Sequence, residues 1–475
     1  MSVPAYYSIL VLMAIAWGAL AFGANYDWAY TPLFWAAAAI GLLGLFAPGS
    51  RGRRSIAWPI VVAAALVALI GCVQLIPLSP ATIAAVSPAT DQFLRKYDLG
   101  YQLATSQGAA GYRHALSVKP AGTWLSLAAL GALTLLLVGT ARGLGQRSVR
   151  TLASGLVFVG FVVALVGIVQ SGLYSRDPNP TLKIYGFWET INKDTYPFGP
   201  FVNRNHFAGW MLLALPVAIA YFSALVARGM RGVRPTFRDR ILWFSSPDAT
   251  RVVLVGLAVL VMALSLVLTL SRSGTTCFLL ALMISGWFVV RRQAAGSRRD
   301  VTLLYVGAVA VFSLGWASLD VILARFAQAS VDFSSRYNIW NDAWTIHHAF
   351  PWLGTGLNTF GAAMTSYQTR LGGHTIEAHN DYVQLLSEGG VALAVVVILA
   401  IFLLGREIRR RFRENADDQT TYWIRLGATT GLVAIAFQEI VEFSLQMPGN
   451  ATLFAVVAAI AIWPAGKSTE SEVSD

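Results

Sequence analysis

The chain has 475 residues, of which 56% are hydrophobic and only 12% are charged. This composition excludes an ordinary soluble enzyme, whose charged fraction is about a quarter, and it indicates a membrane protein. The formal net charge of +11 is spread over short loops between apolar runs. It therefore reflects membrane topology rather than a nucleic-acid-binding patch.

Uncharged runs of nearly membrane length recur from one end of the chain to the other. A hydrocarbon core about 30 Å thick is crossed by about 20 apolar residues in a helix. On this basis we predict twelve transmembrane spans, at 7–23, 32–47, 57–76, 122–140, 151–174, 206–226, 252–270, 275–290, 301–318, 391–405, 422–445 and 451–465. The predicted fold class is an all-α polytopic membrane protein, in which residues 1–465 form one membrane domain and residues 466–475 a disordered cytoplasmic tail.

The basic residues predict how the spans are oriented. The loops that hold 3, 3, 6, 4 and 5 Lys or Arg residues are 48–55, 141–150, 227–251, 291–300 and 405–421. Short loops of this kind stay in the cytoplasm, so both termini are predicted to be cytoplasmic. Three longer segments then face outward, at 77–121, 175–205 and 319–390. Cys72 and Cys277 fall within predicted spans, which indicates neither a disulfide nor a cysteine metal site.

The longest outward segment, 319–390, has a helical pattern. Apolar residues recur at spacings of 3 and 4 from Leu357 to Leu371, which predicts one apolar stripe on a helix. Ser334 or Ser335 is expected to cap an earlier helix that ends at Pro351. These helices either lie at the membrane interface or simply cover the bundle.

One arginine interrupts a long apolar run in "LTLSRSGTTCFLL". Arg272 is the only charged residue between Val252 and Val290. A single helix of that length would measure about 58 Å, roughly twice the hydrocarbon thickness, so we predict a helical hairpin with "SRSG" at its outward tip. Small neighbours, Ser271 and Gly274 among them, and an adjoining helix start suit a phosphate. The alternative is an arginine that anchors the hairpin at the interface.

A second arginine lies in "GPFVNRNHFAGW", at the outward end of the sixth span. Arg204 is flanked there by Asn205 and His206, so a cation and several hydrogen-bond donors again gather at a helix start. Two such sites on one face predict a pocket for a diphosphate, which arginine binds in a bidentate manner. Arg336, in "SSRYNIW", either adds a phosphate contact or caps the loop.

A histidine flanked by carboxylates lies in "GGHTIEAHNDYVQLLSEGG". His379 is placed between Glu377 and Asp381, next to Asn380. A neutral imidazole takes a proton from a hydroxyl, and a carboxylate orients the ring. The alternative interpretation is that His379 is a solvated loop histidine without a catalytic role. Its spacing from His374 does not suit two ligands on one helical face, so we do not expect a zinc site there. We also expect no cofactor.

Two further carboxylates, Glu439 and Glu442, fall within the eleventh predicted span. Their spacing of three places them on one helical face, and intramembrane carboxylates usually find a partner inside the bundle. They are expected to orient Arg272 or Arg204, to hold a proton, or to form a structural salt bridge.

Four stretches in this order, "FGPFVNRNHFAGWM", "LTLSRSG", "SSRYNIWNDAW…PWLGTGLNTF" and "EAHNDYVQLLSEGG", run from Phe198 to Gly390. The ordered set resembles the bacterial O-antigen ligase and Wzy-type polymerase family. The resemblance implies a GT-C-like glycosyltransferase of the inner membrane, with a large periplasmic loop between spans nine and ten. According to this resemblance, Arg204 and Arg272 match the family's diphosphate-binding arginines, and His379 matches its catalytic histidine. Arg336 matches an arginine that recurs in the family's loop.

The resemblance also implies the reaction and its partners. The donor is a glycan on undecaprenyl diphosphate, and the acceptor is a hydroxyl of lipid A–core or of a growing glycan, in lipopolysaccharide or exopolysaccharide biosynthesis. Transfer is expected to be direct, inverting and independent of metal ions, in contact with membrane lipid and without nucleic acid. A repeat-unit polymerase and a protein O-oligosaccharyltransferase remain alternatives. A transporter of lipid-linked glycans or an export scaffold is the non-enzyme reading, and segment 77–121 is a candidate determinant of acceptor choice.

Overall fold

The computed structural model describes residues 5–46, 58–109, 111–174, 183–190, 196–231, 238, 242–243, 245–292, 307, 329–369, 373–414 and 418–464. Within these residues every extended regular element is a helix. The α-helices are α1 (Ala5–Leu20), α2 (Asp27–Phe46), α3 (Trp58–Gln74), α4 (Pro80–Val86), α5 (Pro88–Tyr97), α6 (Leu99–Ser106), α7 (Pro120–Gly143), α8 (Gln146–Tyr174), α9 (Arg204–Gly229), α10 (Pro247–Leu268), α11 (Arg272–Arg292), α12 (Ala329–Ala349), α13 (Phe360–Tyr367), α14 (Asp381–Glu414), α15 (Gln419–Gln438) and α16 (Pro448–Ile462). The all-helical prediction is confirmed for this part of the chain.

The helices are those of a multi-pass membrane protein. Six of them, α2, α7, α8, α9, α10 and α14, are long and apolar enough to cross a membrane, and four shorter apolar helices accompany them. The count of twelve spans and the single domain stay predictions. The predicted span at 301–318, apart from residue 307, and the tail at 466–475 lie outside the described residues.

Helix α9 is the centre of the bundle. Apolar side chains occur on all its sides, as is typical of a helix buried on every face. Every residue from His206 to Ala224 is buried, and α8, α10, α11, α15 and α16 pack around it. The start of α9 is tied to the start of α16, because Asn450 donates a hydrogen bond from Nδ2 to the His206 carbonyl at 2.9 Å.

Six helix ends meet at one end of the bundle, called here the site end. They are the starts of α9, α11, α14 and α16 and the ends of α3 and α15. At the end of α3, the Gln74 amide donates to the carbonyls of Leu353 (2.6 Å) and Glu388 (2.8 Å). At the end of α15, the Glu439 carbonyl accepts from the Asp381 backbone N–H at 3.0 Å. These bonds fix the loops against the membrane helices.

A second hydrophobic core covers the site end. Segment 77–121 folds into α4, α5 and α6, whose Ile83, Leu94 and Tyr101 share a buried cluster with Ile346 of α12 and Phe360 of α13. The described residues of segments 77–121 and 319–390, which were both predicted to face outward, therefore pack together as one layer over the bundle.

The helices of this layer differ in their bounds from the sequence expectation. Helix α12 begins at Ala329, so Ser334 and Ser335 lie inside it and do not cap it, and it ends at Ala349, before Pro351. Helix α13 is only eight residues long, so the apolar stripe predicted to begin at Leu357 starts before the helix does.

Helix α14 is broken near its first third. Gly390 has φ 61° and ψ −163°, a conformation that glycine adopts without the steric cost of a Cβ atom. The freed backbone N–H groups of Val391 and Ala392 donate to the carbonyls of Pro351 (2.9 Å) and Trp352 (3.2 Å). The segment 381–389 is thus set apart from the segment 391–414.

Candidate active site

The predicted hairpin around Arg272 is confirmed. Helix α10 ends at Leu268 and α11 begins at Arg272, and Leu270 between them has a positive φ of 53°. The Ser271 Oγ accepts from the Gly274 backbone N–H at 3.3 Å, which satisfies one of the free donors in the first turn. The long apolar run is therefore two helices with the arginine at the turn.

The starts of α9 and α11 lie side by side because Gly274 permits it. A Cβ atom added at Gly274 would lie 2.7 Å from the Cβ of Ala208 on α9, a distance that real side chains do not tolerate. Arg204 and Arg272 are the first residues of these two helices, and both are partly buried. Two helix N-termini, each with its partial positive charge and an arginine, thus share one region.

Arg204 is held by the segment that precedes it. Its guanidinium lies over the Tyr196 ring, with 4.8 Å from Cζ to the ring centroid, and its backbone N–H donates to the Tyr196 carbonyl at 2.8 Å. The Asn203 side chain caps α9 by accepting from the Asn205 backbone N–H at 2.8 Å. A planar guanidinium on an aromatic face is a stable cation–π arrangement.

Glu442 lies at the centre of the polar contacts. Its Oε1 accepts from the Arg336 guanidinium at 2.6 Å and from the Asn205 amide at 2.8 Å. The expectation that Glu439 and Glu442 share a face of a membrane helix is wrong, since α15 ends at Gln438 and both residues follow it. Arg336 also lies within α12 instead of opening it, and its role here is to pair with a buried carboxylate.

His379 faces the second oxygen of the same carboxylate. Its Nδ1 lies 4.0 Å from Glu442 Oε2, and neither atom has a hydrogen-bond partner among the described residues. The imidazole packs edge-to-face on Phe443, with 4.9 Å between ring centroids, and His206 packs on the same phenyl ring at 4.6 Å. The carboxylate next to His379 is therefore Glu442, and not the sequence neighbours Glu377 or Asp381.

The electrostatics of this group favour an ionised Glu442. Burial alone would raise the pKa of this carboxyl, but the neighbouring His379 imidazole and the charge of Arg336 outweigh burial and hold its pKa below its usual value. A carboxylate that stays charged in a buried site stabilises a cation beside it. The group is therefore prepared for an imidazole that gains a proton.

The backbone of His379 is held in an uncommon conformation. Its φ is 51°, in the left-handed region that costs a non-glycine residue about 1–2 kcal/mol. Hydrogen bonds fix the preceding residue: the Trp340 indole donates to the Ala378 carbonyl at 3.0 Å, and the Ala378 N–H donates to Gln384 Oε1 at 2.9 Å. Conformations of this kind, over-determined by their surroundings, recur at active sites.

The residues that flank His379 in sequence build its support. The Asn380 Oδ1 accepts from the Val383 N–H at 3.0 Å and so caps α14. The Glu377 Oε2 accepts from the Gln384 amide at 2.9 Å, and burial raises the pKa of the Glu377 carboxyl to about 8. Neither residue is a general base here; both hold the turn that carries His379.

Asp381 and Glu439 form a buried carboxyl pair beside this turn. The Asp381 Oδ1 accepts from the Gln446 amide at 2.6 Å. Burial first, and the Asp381 charge second, raise the pKa of Glu439 well above its usual range. The shift favours the protonated form of Glu439. That it holds a proton in the reaction, one of the alternatives predicted from the sequence for Glu439 and Glu442, stays a prediction.

Several contact residues were missed by the sequence reasoning. Tyr196 stacks on Arg204, Phe443 separates two histidines, and Gln384 and Gln446 bridge the carboxyl groups. Gln384 alone carried a signal, since it lies within the quoted family-like stretch "EAHNDYVQLLSEGG". Tyr196 lies two residues before "FGPFVNRNHFAGWM", and Phe443 and Gln446 lie outside every quoted stretch.

The described residues contain no group of three or more His, Cys, Asp and Glu side chains placed to hold a metal ion. Cys72 and Cys277 are both free thiols. The carboxyl groups around His379 instead accept hydrogen bonds from arginine and amide groups.

Fold and site together define an integral-membrane protein with a cationic, histidine-containing site at one end of its helix bundle. The family model described as O-antigen ligase matches residues 257–398, under a third of the chain, and this stretch contains Arg272, Arg336 and His379. The match confirms the resemblance drawn from the sequence and supports an O-antigen ligase-like or polymerase function in general. None of the curated proteins compared matches the chain.

Proposed function

We propose that the protein is an O-antigen ligase-like glycosyltransferase. It moves a glycan from undecaprenyl diphosphate to an acceptor hydroxyl at the periplasmic face of a bacterial inner membrane. The protein crosses this membrane with twelve spans and has both termini in the cytoplasm. The observation that carries the proposal is the contact of His379, Glu442 and Arg336 beside the two helix starts that bear Arg204 and Arg272.

The arginines act on the donor. Arg204 and Arg272 bind the diphosphate, whose charge is further stabilised by the positive ends of the α9 and α11 helix dipoles. As the bond between the anomeric carbon and the phosphate oxygen breaks, the electron pair goes to the diphosphate. Groups already oriented toward that developing charge lower the barrier without further rearrangement.

His379 acts on the acceptor. The imidazole removes the proton of the acceptor hydroxyl while the hydroxyl oxygen forms its bond to the anomeric carbon, on the side opposite the leaving diphosphate. The products are the transferred glycoside, undecaprenyl diphosphate and one proton on the histidine. Direct displacement of this kind inverts the anomeric configuration and needs neither a covalent intermediate nor a metal ion.

Glu442 is the positioning residue for this base. When Nδ1–H of His379 points to Glu442 Oε2, the proton acceptor is the other ring nitrogen, Nε2. The carboxylate also stabilises the imidazolium that forms. Arg336 and Asn205 hold Glu442 Oε1, so the carboxylate stays beside the ring through the reaction.

A reconstituted transfer assay tests the proposal. Purified protein receives a polyprenyl-diphosphate-linked glycan as donor and lipid A–core as acceptor. His379→Ala is expected to abolish transfer with donor binding retained, and Arg272→Ala to weaken donor binding. The matched controls are His348→Ala, an exposed histidine on α12, and Arg291→Ala, which stacks on Trp287 at the far end of α11. Full activity of both site variants would overturn the proposal, and inactivation by a chelator would show a metal in the reaction.

A deletion strain distinguishes the ligase from the polymerase. Loss of long-chain lipopolysaccharide with intact lipid-linked polymer identifies a ligase, whereas accumulated single repeat units identify a polymerase. A strain complemented with His379→Ala is expected to match the deletion in either case. Normal surface polysaccharide in that strain would contradict the assignment of His379.

A further inference from the structure

A cavity of about 500 Å³ opens at the site end. Helices α2, α3 and α7 form one wall, and the starts of α14 and α16 form the other. The first wall is apolar and includes the rings of Tyr30 and Phe34 and several leucines of α7. The second wall carries a group of polar residues, Asn358, Glu377, Asp381, Gln384, Glu388 and Gln446, beside apolar residues such as Leu385 and Met447.

The polar wall is a connected set of hydrogen-bonding groups. The Gln384 amide donates to Glu377 Oε2 at 2.9 Å and to Gln446 Oε1 at 3.1 Å. The two oxygens of Glu388 accept from the backbone N–H groups of Asn358 and Phe360. Carboxyl and amide groups fixed in this way present donors and acceptors in set directions, which is what specific recognition of a small polar ligand requires.

The charge of this cavity differs from that of the arginine region. None of the described residues that line it is basic, and three of them are carboxylic acids. The cavity therefore offers no cation to a diphosphate, whereas the hydroxyl groups of an uncharged sugar form hydrogen bonds with carboxyl and amide groups and its C–H faces pack on aromatic rings. The volume is within the range of about 300–1,000 Å³ typical of small-molecule sites, the scale of a short oligosaccharide.

The cavity ends close to the proposed base. Asp381 and Gln446 form its edge and are joined by a hydrogen bond of 2.6 Å. His379 precedes Asp381 by two residues, and Glu442 precedes Gln446 by four, so the edge and the catalytic group belong to the same two turns. The helices that carry Arg204 and Arg272, α9 and α11, do not line the cavity.

We propose that this cavity binds uncharged sugar residues of the acceptor and directs their terminal hydroxyl past Asp381 to His379. The inference rests on the proposed function and adds to it the place and the chemical class of the acceptor. In a displacement at the anomeric carbon the attacking and leaving oxygens lie on opposite sides. The cavity lies on the side of the attacking acceptor oxygen, and the arginine region lies on the side of the leaving diphosphate oxygen.

A filled cavity tests this assignment by kinetics. Ala129 of α7 lines the cavity, whereas the neighbouring Ala128 is exposed and does not. Ala129→Phe is expected to raise the KM for the acceptor about tenfold or more, a loss of at least about 1.4 kcal/mol of binding, with the KM for the donor unchanged. Ala128→Phe changes neither. Ser126→Leu, at another lining position, replaces Ala129→Phe should that variant fail to fold. An unchanged acceptor KM, or a rise in the donor KM alone, overturns the proposal.

A labelling experiment tests the cavity without requiring transfer. The exposed Cys72 is first changed to serine, and Ser126→Cys and Ala128→Cys are then labelled with an uncharged maleimide. The core oligosaccharide of the deletion strain, freed of its lipid, is expected to slow labelling at position 126 and not at 128, and inorganic diphosphate to slow neither. Protection by diphosphate, or none by the oligosaccharide, overturns the proposal. Protection in a protein that transfers nothing would retain the sugar site while refuting the proposed function.

Discussion

The substitution Glu442→Gln isolates the contribution of one buried charge. Glutamine keeps the shape of the side chain and an oxygen that accepts from Arg336 and Asn205, but it removes the charge that faces His379. At the observed 4.0 Å between His379 Nδ1 and Glu442 Oε2, an imidazolium and a carboxylate attract each other by about 4 kcal/mol at an effective dielectric constant of about 20.

Solvent reduces this value because the His379 side chain is 35% exposed. About 2 kcal/mol is then lost from the state in which the ring holds the acceptor proton, which corresponds to a fall in kcat of about 30-fold. The charge acts only after proton transfer has begun, so the KM values for donor and acceptor are expected to stay within about twofold. The transfer assay with both substrates varied measures this split.

A second buried carboxylate provides the control for structural damage. Glu407, near the end of α14, is paired with Arg410 at 2.5 Å and Arg411 at 2.6 Å. Glu407→Gln is therefore expected to lower the unfolding temperature without lowering kcat. If Glu442→Gln retains full kcat, or if both variants lose kcat to the same extent, the positioning role assigned to Glu442 is wrong.

Three further predictions concern the support of the site. Gly274→Val is expected to push α11 away from α9, at an overpacking cost of about 1–3 kcal/mol, and so to raise the KM for the donor. The control is Gly286→Val, where an added Cβ meets nothing. Equal donor KM values in the two variants would contradict the reasoning. Glu377 keeps its proton in the folded state up to a pKa of about 8, against 4.5 ordinarily, so stability is expected to fall as pH rises through that window. Glu377→Gln is expected to flatten the dependence of unfolding temperature on pH. An unchanged slope would show that protonation of Glu377 does not cause this dependence. Trp340→Phe removes the hydrogen bond to the Ala378 carbonyl, so kcat is expected to fall while stability drops by only about 1 kcal/mol; a fall in stability with full kcat would show that the bond serves the fold alone.

The hairpin at Arg272 was predictable because length decides it. An apolar run of 39 residues, from Val252 to Val290, exceeds one membrane crossing, and the polar "SRSG" marks the only place to turn. The same argument predicted the long helices, since a bilayer requires a minimum of apolar residues per span. The all-helical, multi-pass class therefore follows from hydropathy alone.

The contacts of Glu442 were not predictable for a different reason. The stretch that follows Gln438 is rich enough in apolar residues to be counted as membrane helix, so hydropathy does not reveal that α15 ends there. The partners of Glu442 lie 106 residues away at Arg336 and 237 residues away at Asn205. Sequence spacing carries information only along one helix, and these contacts join three separate elements.

The break at Gly390 has a consequence for how the membrane acts on the enzyme. Helices respond to bilayers of different thickness by changing their tilt, at a modest free-energy cost per ångström of mismatch. Because the backbone bends at Gly390, we expect the long apolar part of α14 to change its tilt independently of the short helical segment 381–389, which carries Asp381 and Glu388. A change in tilt in a thicker or thinner bilayer is then expected to occur at Gly390, where the loop carbonyls of Pro351 and Trp352 hold the start of the membrane part.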